Sequence, residues 1–121
     1  MKKKILIIDD KETIAKIITM YLGNSYDLVW FDNAIKALAW LQEGNDPDLI
    51  ITDLKMPEMR GEEFLEKVKA SPLFKHIPVV ILSSEDSTSD RIRLLESGAE
   101  DYIVKPFNPV ELNLRVKKIL S

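Results

Sequence analysis

The chain has no cysteine among its 121 residues, which excludes disulfides and thiolate metal sites. That fits a reducing compartment, and the cytoplasm is the expected location. It also lacks an excess of positive charge. With 17 basic against 20 acidic side chains the net charge is -3, so no global field holds nucleic acid or an anionic membrane, and neither is expected as a partner. Long apolar runs are missing too. Behind Met1-Lys2-Lys3-Lys4 the apolar run stops at Ile8 before two aspartates, too short for an export signal or a membrane span, so it reads as a buried strand. No repeat, linker or low-complexity tract breaks the sequence. Residues 1–121 are therefore expected to form one domain, with a core between two helical layers.

What is present alternates between strand and helix signals. Leu49-Ile50-Ile51 is an uninterrupted apolar run, the mark of a strand covered on both faces, and it leads straight into Asp53. Met56-Pro57 ends the extended segment, and Gly61 closes the loop before the next helix. Further strands are expected at Ile5 to Ile8, Leu28 to Phe31, Val79 to Leu82 and Tyr102 to Val104. In Lys11 to Leu22 the residues Ile14, Ile17, Ile18, Tyr21 and Leu22 recur at helical spacing and predict one buried stripe, terminated at Gly23-Asn24. Asn33 can cap a helix burying Ala34, Ala37, Leu38 and Leu41, and Phe64, Leu65 and Val68 mark a short helix broken by Ser71-Pro72. Ser87 with Asp90 begins a helix that Gly98 stops. Asn108-Pro109-Val110-Glu111 begins the last, with Leu112, Val116 and Ile119 as its stripe and Lys117 and Lys118 near the negative end of its dipole. Connections this short between five strand-helix units require right-handed crossovers, giving a doubly wound α/β fold with a parallel sheet between two helical layers.

Four strand ends carry polar residues where the pattern otherwise demands apolar ones: Asp9-Asp10, Asp53, Ser83-Ser84 and Lys105. All four fall on the carboxyl edge of the sheet, where ligands bind in open α/β folds. A lone Asp after a strand is usually a turn former or helix cap, but four coincident ends call for chemistry. Two carboxylates about 4 Å apart repel by roughly 4 kcal/mol near a protein surface, and Lys105 offers one compensating charge. A divalent cation supplies the remainder. An all-oxygen site that accepts a phosphate oxygen suits Mg²⁺ or Mn²⁺, and the lack of cysteine or histidine on this edge argues against zinc. Phosphoryl transfer needs a nucleophile, charge neutralisation and placed donors. Asp53 is the candidate nucleophile, forming an acyl phosphate. Asp9 and Asp10 would hold the metal directly or through water, while Lys105, Ser83 and Ser84 bind phosphoryl oxygens.

At these residues the sequence resembles the receiver domain of two-component response regulators. The likeness runs through Asp9-Asp10, the stretch from Asp53 to Gly61 (Asp-Leu-Lys-Met-Pro-Glu-Met-Arg-Gly), Ser83, and Gly98 to Phe107 (Gly-Ala-Glu-Asp-Tyr-Ile-Val-Lys-Pro-Phe). It covers essentially the whole chain. It implies a flavodoxin-like three-layer sandwich with strand order 2-1-3-4-5. It also implies phosphorylation of Asp53 by a histidine kinase phosphohistidine, a phosphotransfer protein or a small phosphodonor, with Mg²⁺ bound. The same resemblance implies that the Lys55 backbone carbonyl completes the metal site, that Asp9 acts through water, and that the Lys105-Pro106 bond is cis. Tyr102 becomes the switch aromatic, turning into space that Ser83 vacates. Arg91, Glu96, Asp101, Glu111, Arg115 and Lys117 match the charged face through which receivers of the winged-helix transcription-factor branch form twofold dimers. Lys55 and Glu85 stand where family members differ and are expected to tune phosphate lifetime.

Rival readings meet specific obstacles. A phosphohydrolase of the haloacid dehalogenase type needs a second Asp two residues after the nucleophile, where this chain has Lys55. A flavin or nucleotide module needs a phosphate loop after the first strand, and Asp9-Asp10-Lys11-Glu12 is acidic there. A degenerate receiver that only binds partners stays open, although every site position is filled. His76 precedes a strand and belongs at the opposite edge, so no internal phosphohistidine relay is expected. Trp30, Trp40 and the four methionines read as packing or surface residues, and the charged face reads equally as solvated helix surface.

Overall fold

The computed structural model describes residues 1–85 and 87–121. Strands and helices alternate: β1 (Lys4–Ile8), α1 (Glu12–Leu22), β2 (Asp27–Phe31), α2 (Ala34–Gln42), β3 (Leu49–Asp53), α3 (Gly61–Ala70), β4 (Val79–Ser83), α4 (Thr88–Glu96), β5 (Asp101–Val104) and α5 (Pro109–Leu120). All strand pairs are parallel, in the order β2-β1-β3-β4-β5, the doubly wound flavodoxin-like order that the resemblance implies.

Period-two alternation divides the core into two halves. Leu6, Ile8, Ile50 and Ile81 face one side and pack with Ala37, Leu41, Phe64, Leu65 and Val68 of α2 and α3. Ile5, Ile7, Leu49, Ile51, Val80 and Leu82 face the other, against Ile18 and Leu22 of α1 and Leu112 and Val116 of α5. Burial on both faces is why β3 and β4 read as continuous apolar runs, whereas the edge strand β2 is half-exposed. Each fully buried Leu, Ile or Phe contributes about 1.5–3 kcal/mol, which locks the register that brings the strand ends level. Helix starts follow the predicted caps. Asn33 accepts from the Lys36 N–H, Ser87 from that of Asp90, and Asn108 from those of Val110 and Glu111.

The α1 stripe is rotated from its predicted setting. Ala15, Ile18 and Leu22 are buried, whereas Ile17 and Tyr21 are 37% and 45% exposed. The helical spacing fits two overlapping faces, and the helix turns the one carrying small Ala15 to the sheet, where it can approach closely. In α2, Leu38 is only partly buried. Trp40 packs on Phe31 with ring centroids 6.0 Å apart. His76 lies ahead of β4, at the opposite end of the sheet from Asp53, with its Nε2 3.0 Å from Asp46. Among the described residues no helix is long and apolar enough to cross a membrane.

Gly61 sets how α3 leaves the sheet edge. Its N–H donates to the Leu54 carbonyl at 2.8 Å, closing the loop that follows Asp53. A Cβ here would stand 2.2 Å from the Asp53 carbonyl oxygen and 3.0 Å from the Leu54 Cα, both backbone atoms with no freedom to yield. Gly61→Ala is expected to lower stability by about 2–3 kcal/mol through overpacking. In urea unfolding this appears as a lower midpoint with an unchanged slope; an unaltered midpoint would mean the loop relaxes freely.

Candidate functional site

The carboxyl edge gathers Asp9 and Asp10 after β1, Asp53 at the end of β3, Ser83 at the end of β4 and Lys105 after β5. Asp9, Asp10 and Asp53 each present a carboxylate oxygen within 4.8 Å of the others. Lys105 bridges two of them, its Nζ donating to Asp9 Oδ2 at 2.8 Å and standing 3.5 Å from Asp53 Oδ1. The Lys105-Pro106 bond is cis, as the resemblance implies.

Asp53 is 6% exposed. Its Oδ1 accepts from the Leu54 N–H at 2.8 Å. Both that bond and the Lys105 contact fall on Oδ1. Burial raises the Asp53 carboxyl above the ordinary carboxylate value; Lys105 opposes the rise and Asp9 adds to it. Thr52, buried in β3, donates its hydroxyl to the Asp53 carbonyl at 3.0 Å. The loop beyond is held in an unusual path, with Glu58 at φ 70° after Pro57.

Asp9 and Asp10 differ in kind. Asp9 is 1% exposed and both its oxygens are committed, Oδ1 to the Lys11 N–H at 2.9 Å and Oδ2 to Lys105. Asp10 is exposed. The donor set fits a hard divalent cation, since it offers three carboxylates and neither sulfur nor imidazole.

Ser83 and Ser84 also separate. Ser83 is buried, its Oγ accepting from the Glu85 N–H at 3.0 Å, whereas Ser84 is exposed. Glu85 joins three parts of the site: besides Ser83, its carbonyl accepts from the Tyr102 hydroxyl at 2.7 Å and its carboxylate pairs with Lys55 Nζ at 2.7 Å. The Tyr102 ring is already buried, 5% exposed, with the Arg91 guanidinium 5.7 Å from its centroid. Opposite charges on the loops after adjacent strands were a legible hint of the Lys55–Glu85 pair. The Glu85 carbonyl as the partner of Tyr102 had no sequence signal. Neither had Trp30, whose indole N–H donates to the Asp9 carbonyl at 2.8 Å.

On the charged face, Arg115 donates to both Asp101 oxygens, at 3.0 and 2.8 Å, and to Glu111 at 2.9 Å. These bonds hold its guanidinium above the usual pKa. Glu96 and Lys117 are exposed. Arg60 turns along the surface to Glu62 at 2.9 Å.

A sheet of this order, with an acidic cluster and one lysine at its carboxyl edge, is the architecture of a phosphate-accepting signalling domain. The chain belongs to the response regulator receiver domain family, which matches over residues 5–117, and phosphoacceptance in two-component signalling is the function of that family. It is 38% identical over 121 residues to the alkaline phosphatase synthesis transcriptional regulatory protein PhoP of Bacillus subtilis, covering 99% of this chain and 49% of PhoP. It is 34% identical over 120 residues to the chemotaxis protein CheY1 of Helicobacter pylori, covering 98% and 97%. Histidine kinase P4 of Formosa agariphila is 43% identical over 120 residues, 99% of this chain and 9% of that kinase. The chain thus spans half or less of the length of two of these relatives. Among solved structures, a putative response regulator from Chloroflexus aurantiacus superposes with a TM-score of 0.91 at 35% identity, covering 99% and 98% of the two chains. The Mn²⁺-bound form of response regulator Rcp1 superposes at 0.83 with 30% identity, covering 97% and 91%.

Carboxylates within 4.8 Å repel by roughly 3–4 kcal/mol at an effective dielectric of about 20, only partly offset by Lys105. Asp53→Asn keeps Lys105 paired with Asp9 and removes the repulsion on Asp53. It is expected to raise the metal-free stability by on the order of 1 kcal/mol. Urea midpoints in chelator check this; a midpoint at or below wild type would mean the cluster is already balanced.

Proposed function

We propose that Asp53 of this chain accepts a phosphoryl group from the phosphohistidine of a histidine kinase, from a phosphotransfer protein or from a small phosphodonor. The observation that carries this reading is the convergence of the Asp9, Asp10 and Asp53 carboxylates within 4.8 Å of one another, with the Lys105 ammonium bridging Asp9 and Asp53. Asp10, Asp53 and the Lys55 backbone carbonyl would hold Mg²⁺, with Mn²⁺ able to substitute and Asp9 serving through water. The full commitment of the Asp9 oxygens supports its indirect role. When bound, the cation neutralises charge on the phosphoryl oxygens and on the carboxylates around them.

An Asp53 oxygen attacks phosphorus. The bond from phosphorus to the donor's nitrogen or acyl oxygen breaks, its electron pair leaves with the donor, and an acyl phosphate remains. Burial of Asp53 keeps competing water away, while Lys105 meets an equatorial oxygen with its ammonium. The Ser83 hydroxyl donates to another, with Ser84 at the outer rim.

The switch follows from the bonds around Glu85. To reach a phosphoryl oxygen, Ser83 gives up the Glu85 N–H, and the turn it leaves also carries the carbonyl that holds Tyr102. A charge change at Asp53 is thereby read on the surface of α4, β5 and α5. That surface, with Arg91, Glu96, Asp101, Glu111, Arg115 and Lys117, is the proposed site for a twofold dimer or a partner. A dimer would exchange the bonds of Arg115 to Asp101 and Glu111 for those of a second copy. We read residues 1–121 as one receiver unit that acts in the cytoplasm and does not itself bind DNA. It is a signalling domain whose only reaction is its own phosphorylation and dephosphorylation.

Incubation with acetyl phosphate and Mg²⁺, followed by intact mass, is expected to give one phosphoryl adduct on the wild type. Asp53→Asn and a chelator-treated sample are expected to give none. An adduct that persists in either case would move the acceptor elsewhere or remove the metal from the reaction.

A further inference from the structure

Asp9 is held by four hydrogen bonds, and three have an evident origin. Its N–H donates to the Phe31 carbonyl at 3.2 Å, continuing the β1–β2 ladder. Its two carboxylate oxygens take the Lys11 N–H and Lys105. The fourth is the indole N–H of Trp30 on its carbonyl, at 2.8 Å. With Ile8 opposite Phe31, a continued parallel ladder would meet the Asp9 carbonyl with the N–H of residue 33. The strand ends first. β2 stops at Phe31 and Asn33 turns away to cap α2, accepting from the Lys36 N–H. The indole takes the place of the missing ladder donor on a carbonyl whose residue is almost wholly buried.

The ring pays for this with exposure. Trp30 is 38% exposed on an edge strand and lines a surface groove with Ala15, Thr19 and Met20 of α1. The Asp9 carbonyl belongs to the peptide unit that continues into Asp10. Fixing that unit fixes the direction in which Asp10 leaves the strand, and Asp10 is the exposed carboxylate of the acidic cluster.

We propose that Trp30 is a positioning residue for the cation site: its N–H holds the Asp9–Asp10 peptide so that the Asp10 carboxylate is aimed before the metal arrives. The proposal rests on the phosphoacceptor reading of the cluster. Loss of the donor leaves the ligands present but their carrier free to rock, which weakens binding without removing any ligand.

The test compares wild type, Trp30→Phe, Trp40→Phe and a chain carrying 3-benzothienylalanine at position 30, in which sulfur replaces the N–H with the ring shape kept. Because the chain has two tryptophans, the analogue is introduced in the Trp40→Phe background. Calorimetric titration with Mn²⁺ and with Mg²⁺ is expected to show affinity lower by roughly three- to tenfold in Trp30→Phe and in the analogue. Trp40→Phe, which alters the contacts with Phe31 and Lys4 and leaves the Trp30–Asp9 bond in place, is expected to match wild type. The Mg²⁺ concentration for half-maximal phosphorylation by acetyl phosphate shifts by the same factor, and the extent at saturating Mg²⁺ is restored. Wild-type affinity in the analogue, or an equal loss in Trp40→Phe, overturns the inference and leaves the site reading intact. A wild-type chain that binds neither cation overturns both.

Discussion

One ammonium group holds the carboxyl edge of this sheet together. Lys105 arrives from β5, at one side of the sheet, and reaches Asp9 beyond β1 and Asp53 at the end of β3. Without it two nearly buried carboxylates would face each other in a region where water screens poorly, an arrangement that costs several kcal/mol. With it the three carboxylates of the cluster still exceed the positive charge by two. Burial keeps the Asp53 carboxyl above its ordinary pKa, with Asp9 adding to the rise and Lys105 opposing it, and the excess of carboxylates suits the cluster to a hard divalent cation.

The surrounding fold serves this edge. Strands buried on both faces cannot slip register without moving apolar side chains from one core to the other, so the ends of β1, β3 and β4 stay level. Gly61 lets the α3 start pass against the Asp53 carbonyl. The indole of Trp30 finishes the ladder where β2 can no longer do so. Gly61 and Trp30 each act on the backbone of an acidic residue rather than on its carboxylate.

Residue 85 ties the carboxyl edge to its surroundings. Its amide touches Ser83, its carbonyl holds Tyr102 and its side chain ties the turn to Lys55 across the site mouth. These contacts join the acidic cluster's edge to Tyr102 of β5. On the α4–β5–α5 surface the Tyr102 ring is buried and Arg115 is tied to Asp101 within the chain.

Most of the architecture was legible from periodicity and capping chemistry: all ten elements, both helical layers and the edge on which the polar strand ends meet. Strand order came through the family likeness of Asp53 to Gly61 and Gly98 to Phe107. The α1 stripe was misjudged because helical spacing alone fits either of two adjacent faces, and only contact with the sheet selects Ala15 over Ile17 and Tyr21. By itself, then, the sequence determined which acidic, hydroxyl and basic groups stand at strand ends, because strand boundaries are local properties of the chain. Tertiary structure alone decided how those groups divide the work. The full commitment of Asp9, the hub at Glu85 and the indole bond of Trp30 all join segments distant in sequence, and such pairings exist only once the strands lie side by side.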